Sequence, residues 1–144
     1  MKITLKRSGL NPVEFDGKLI ASGGLAADHQ FERNAKGKPV GLIQRGHRLE
    51  LYRSTESFVM SVQFRSAWIN EPEYSEVSGF YDLRGVAVYL NSYSTHSLML
   101  HFVGPPAGSM NARKNLPSII RAYQLQFRSA VAELFGSLPA ERIP

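Results

Sequence analysis

The sequence predicts an α+β fold: a curled, mainly antiparallel β-sheet of about six to eight strands, closed by one C-terminal amphipathic helix. Three observations predict it. Apolar and polar residues alternate along 48–53 and 58–65, the period of strands with one buried face. Two short runs, 86–90 and 98–103, are apolar on both faces. Between 116 and 134 the apolar residues recur at steps of three and four, the period of a helix.

The elements follow in order. Ile3 and Leu5 alternate with polar residues and give a first strand. Asp16-Gly17 then stands between two apolar stretches. Both central positions of a two-residue hairpin turn need positive φ, so this dipeptide predicts a turn with Val13 opposite Ile20. Residues 23–39 read as irregular, with a short helical turn over 25–32, and a loop this long is either functional or mobile.

The next hairpin has a predicted register. Pairing Arg53 with Phe58 sets Leu51 against Met60 and Leu49 against Val62. One face is then apolar throughout, while the other carries Arg48, Glu50, Tyr52, Ser61, Gln63 and Arg65. A slip of one residue would exchange the two faces, so the register is strongly specified, and the polar face predicts a sheet with one wet side.

Residues 70–79 read as an acidic, turn-rich connection. Pairing Leu90 with Leu98 places Val86, Val88, Leu90, Leu98, Leu100 and Phe102 on one face, and Ala87, Tyr89, Met99, His101 and Val103 on the other. These read as central strands covered on both sides. Gly104-Pro105-Pro106-Ala107-Gly108 ends the strand pattern. The final helix is expected over 117–135, with Asn115 as N-cap, Pro117 in the first turn and Gly136 as a left-handed cap. Arg121, Gln124 and Arg128 fall on its polar face.

Composition bounds the function classes. A length of 144 residues fits one domain (1–144), and no internal repeat or linker interrupts it. With 43% hydrophobic and 20% charged residues, neither disorder nor a fibre is expected. Cysteine is absent, which excludes disulfides, a thiolate nucleophile and cysteine-ligated metal. Lys2, Lys6 and Arg7 are not followed by the apolar run of a secretory signal, and no stretch approaches the roughly 18 apolar residues of a membrane helix. A soluble, cytoplasmic protein without a membrane partner is expected.

Catalytic signatures are missing too. There is no HExxH, P-loop, GxGxxG or GxSxG, and the histidines at 29, 47, 96 and 101 share no metal-ligand spacing on one helix. No catalytic residue, cofactor or metal is assigned. Glu71, Glu73 and Glu76 flank Pro72 in a turn-like context and read as a solvated acidic loop.

The net charge is +5 and is uneven: the first 65 residues and the last 32 are basic, and the stretch between them is acidic. A basic surface favours anionic partners. Lys36, Lys38, Arg45, Arg48, Arg53 and Arg65 are concentrated around Tyr52, and Arg113 and Lys114 precede the expected helix. Cations neutralise phosphates and an aromatic face stacks a base. The first reading is therefore a non-enzymatic binding protein whose partner is nucleic acid or an acidic protein surface. An alternative is a barrel or cup holding a small apolar ligand against Tyr89, Met99 and His101, with weak chemistry at His101 and Tyr89. A third is an accessory protein acting through one protein partner. Charge favours the first reading, and the doubly apolar runs favour the second. The oligomeric state is open.

Overall fold

The computed structural model describes residues 1–41, 43, 45–68, 73–93 and 110–139, with side chains in the last segment from residue 121 onward. Five strands form one antiparallel meander in the order β1-β2-β3-β4-β5 among the described residues, and two helices cover one face. The strand count is therefore five rather than six to eight.

Strand β1 (Lys2–Arg7) turns at Ser8-Gly9, where Gly9 has φ 73°, into β2 (Leu10–Gly24). Leu5 pairs with Val13 and Ile3 with Phe15. Asp16-Gly17 makes no turn. It lies inside the 15-residue β2, where Gly17 pairs with Ser54 of the next strand. A Cβ on Gly17 would stand 2.6 Å from the Arg53 carbonyl oxygen, so glycine serves close strand approach here. The first half of β2 pairs with β1 and the second half with β3, and the register shifts between Leu19 and Ala21. Such a bulge bends a strand and increases its twist, which helps to curl the sheet.

Strands β3 (Arg45–Ser54) and β4 (Phe58–Ser66) pair in the predicted register, from Arg53 opposite Phe58 to Leu49 opposite Val62. Strand β5 (Tyr74–Phe80) occupies most of the stretch expected to be a turn-rich connection, and residues 70–72 lie outside the described residues. Its pairing with β4 sets Val77 against Ser61 and Ser75 against Gln63. The 25–32 segment forms no helix, but it holds one tight turn, where His29 N–H donates to the Ala26 carbonyl at 3.0 Å.

The run 86–90 is not a strand. It belongs to helix α1 (Leu83–Ser92), capped by Asp82, whose Oδ1 accepts from the Gly85 N–H at 2.8 Å. Val86 and Leu90, one helical turn apart, are its buried residues, while Val88 is 62% exposed. The partner run 98–103 lies outside the described residues.

Helix α2 (Met110–Gly136) starts earlier than expected, so Asn115 and Pro117 fall inside it. Gly136 is helical rather than left-handed. Phe127, Ala130 and Leu134 carry α2 onto the sheet, whereas Arg121 and Arg128 are exposed, as the periodicity predicts. Gly23 makes this docking close: a Cβ there would meet the Ala130 carbonyl oxygen at 2.1 Å.

The main core lies between sheet and helices, with Leu49, Leu51, Met60 and Val62 against Val86, Leu90, Phe127 and Leu134. A second cluster fills the other face: Leu5, Tyr52 and Val59 pack with Ile3, Phe15 and Val77, drawing on all five strands. The sheet therefore rolls around this face. Its outer strands meet where Ser8 N–H donates to the Ser75 carbonyl at 2.8 Å and Ser75 N–H to Ser8 Oγ at 2.9 Å. No helix among the described residues is long and apolar enough to cross a membrane.

Candidate functional site

The curl changes the meaning of the polar face of β3–β4. Arg48 and Tyr52 are only 8% and 7% exposed, so this face is partly interior and not wet throughout. Glu50 organises it. One carboxylate oxygen accepts from Tyr52 OH at 3.2 Å and Arg48 Nη2 at 3.3 Å, and the other accepts from Gln63 Nε2 at 2.8 Å. Arg48 Nη1 also donates to the Leu25 carbonyl at 2.7 Å. Burial, followed by the charge and hydrogen bond of Glu50, pushes the Tyr52 hydroxyl up to about 12, opposed by Arg48. Tyr52 is therefore a neutral donor near neutral pH, with its ring edge-on to Phe15 at 5.6 Å.

At the N-terminal end of β3, cations meet aromatic rings. The Arg45 guanidinium lies 5.6 Å from the Trp68 ring centre, and that of Arg65 lies 5.4 Å from Phe31. Trp68 is 40% exposed. The segment after β2 is tied to this end by Arg33 Nε, which donates to the Ala67 carbonyl at 2.8 Å. Its tip is a tight turn in which Asn34 Oδ1 accepts from the backbone N–H of both Lys36 and Lys38, each at 3.0 Å. That geometry holds two exposed lysines on one short turn.

The remaining sequence-predicted cations are dispersed. Arg53 lies at the opposite end of the hairpin over Phe58, at 4.3 Å. Arg113 and Lys114 fall within helix α2 rather than before it, and their side chains lie outside the described residues.

On the helix side, Tyr89 belongs to α1 and packs on Phe80 at 5.2 Å, which removes it from the strand face predicted for the ligand cup. Met99 and His101 lie outside the described residues, as do His96 and Glu71. Glu73 is exposed, and Glu76 accepts a hydrogen bond from Tyr74 OH. A groove of about 340 Å³ runs between α1 and α2, lined by residues that include Asn91, Tyr93, Gln124 and Arg128. Beside Tyr93 and Phe127, His47 is fully buried, and burial lowers its pKa to about 4 against the support of Gln126. Among the described residues no group of three His, Asp or Glu side chains could hold a metal ion.

Sequence reasoning missed Trp68 and Phe31 as partners of the basic residues. The signal for Trp68 was present: extending the predicted register sets Arg45 opposite Ser66, two residues before the tryptophan. Comparison with protein-family models, with characterised proteins and with solved structures finds no match to this chain.

Proposed function

We propose that this is a non-enzymatic binding protein that holds single-stranded nucleic acid across the basic, aromatic end of the β3–β4 hairpin. The observation that carries the reading is the half-exposed Trp68 ring with the Arg45 guanidinium against it. Single-strand binding needs a π-face on which a base stacks and cations that follow the backbone. Trp68 supplies the first, and Arg45 with the Lys36–Lys38 turn supplies the second. Exposed Val40 and Ile43 add apolar surface in the segment leading into β3. Stacking reads no base edge, so little sequence preference is expected.

Trp68 is the chain's one tryptophan, so intrinsic fluorescence reports directly on the contact. Titration with a short single-stranded oligonucleotide at low salt should quench it saturably. Trp68→Ala should weaken binding of a labelled oligonucleotide about tenfold or more, the scale of one stacked base. Unchanged fluorescence with no binding of the labelled strand would remove the reading. Preference for an acidic peptide over the oligonucleotide would transfer the surface to an acidic protein partner.

A further inference from the structure

We propose that Arg48 and Arg65 form a seat for a single oxyanion group, a phosphate or a carboxylate, on the inner face of the curled sheet. Arg48 pairs across the hairpin with Gln63, and Arg65 lies two residues further along β4, opposite Gly46. The two arginines are therefore diagonal neighbours on one face, about 7–8 Å apart across the hairpin, a separation that two long side chains can bridge to one small group. Arg48 is 8% exposed and uses Nη1 and Nη2 on Leu25 and Glu50, but its buried Nε–H has no hydrogen-bond partner among the described residues. One guanidinium nitrogen of Arg65, Nη1, is likewise buried without a partner among the described residues, while the guanidinium lies over the Phe31 ring.

A guanidinium keeps its charge in a protein interior. Two cations thus share this face with Glu50, whose oxygens already accept from Arg48, Tyr52 and Gln63. Glu50 offsets one of these charges, Arg65 is half-buried, and an anionic acceptor would meet both the unmade donors and the remaining positive charge. One oxyanion satisfies both, because planar guanidinium donors match the geometry of phosphate and carboxylate oxygens. The segment after β2 partly covers the site. Leu25 is held by its N–H to the His47 carbonyl at 3.0 Å, and its side chain fills the space over Gly46, where a Cβ would come within 3.1 Å of it. The seat does not depend on the strand-binding reading, since Trp68 and Arg45 take no part in it, and either can fail alone.

The test is an NMR titration of the whole chain in chloride buffer, following the arginine Nε–Hε signals, with inorganic phosphate in one arm and acetate in the other. The Arg48 signal should shift saturably with at least one anion. Saturation by phosphate alone assigns a phosphate ester as the ligand chemistry, and saturation by acetate alone assigns a carboxylate. Arg48→Gln would also break the bond to Leu25 and risks the fold, so Arg65→Gln carries the test. It should weaken the anion at least tenfold while the melting curve stays that of a folded protein. No saturable shift with either anion, or an identical titration in Arg65→Gln, would overturn the seat.

Discussion

Gln126 grips His47 at three points. Its Oε1 accepts from the His47 backbone N–H at 2.9 Å and lies 3.0 Å from Nδ1, and its Nε2 donates to the His47 carbonyl at 3.1 Å. The backbone N–H fixes the orientation of the amide, because only its oxygen can accept there, which leaves Nε2 to donate to the carbonyl alongside the Leu25 N–H. The amide in turn fixes the imidazole with its proton on Nδ1. Helix α2 is thereby pinned to β3 by polar bonds as well as by Phe127 and Leu134.

Gln126→Ala should therefore destabilise the fold by about 2–4 kcal/mol, because it leaves the buried His47 backbone N–H and Nδ1–H without their acceptor, while the His47 carbonyl keeps the Leu25 N–H. Leu125→Ala, at a neighbouring position that is 56% exposed, should cost under about 0.5 kcal/mol. Urea denaturation of both variants checks the pair. Equal losses would show that the grip contributes nothing beyond ordinary side-chain contact.

His47 gives stability a defined pH dependence. Burial depresses its pKa from 6.5 to about 4, so the folded state disfavours the imidazolium. Above pH 6.5 the ring is neutral in both states, and its contribution is fully present. As pH falls from about 6.5 to about 4, the unfolded chain takes up a proton that the folded chain refuses, and stability drops by about 1.4 kcal/mol per pH unit. Below about 4 the loss levels off, near 3 kcal/mol in total. Denaturation series of parent and His47→Phe between pH 7 and 4 isolate this slope. It should be shallower in the variant, and parallel curves would contradict the assignment.

Gly23→Ala should be among the most damaging small changes in the molecule. The added methyl group would stand 2.1 Å from the Ala130 carbonyl oxygen and 2.8 Å from the Leu134 nitrogen, both backbone atoms of α2. Moving the helix away opens the main core, at a cost of about 1–3 kcal/mol or more. Gly136→Ala meets no atom of the described residues within 4 Å in a helical position and should gain up to about 1 kcal/mol. Thermal melts of the two variants should move in opposite directions.

The parts of the fold legible in the sequence were those where neighbouring segments decide the structure. The β3–β4 register follows from two strands with matching alternation and a short turn between them. The α2 face follows from period alone. Asp16-Gly17 misleads because its glycine meets a demand from Arg53, far away in sequence, and not from a turn. The run 86–90 misleads because apolar residues at 86, 88 and 90 satisfy alternation, while Val86 and Leu90 also satisfy a helical turn. Asp82, three residues before Gly85, was the local sign of a helix start. For the site, the residues sharing the Glu50 face were readable, but their burial was not. That depends on the curl that brings Ser8 to Ser75, a contact between the first and last strands.

If the Trp68 and Arg45 end of the hairpin binds a nucleic-acid backbone through charge, affinity depends on salt. Affinity for a labelled single-stranded oligonucleotide would be measured from low to physiological salt, for the parent and for Arg45→Gln. The logarithm of the association constant should fall linearly with the logarithm of salt, by about 0.7 for each phosphate contact on a single strand. Arg45→Gln should make that slope about 0.7 shallower and weaken binding across all sequences tested. An affinity independent of salt, or a slope that Arg45→Gln leaves unchanged, would show that this end of the hairpin does not hold a nucleic-acid backbone.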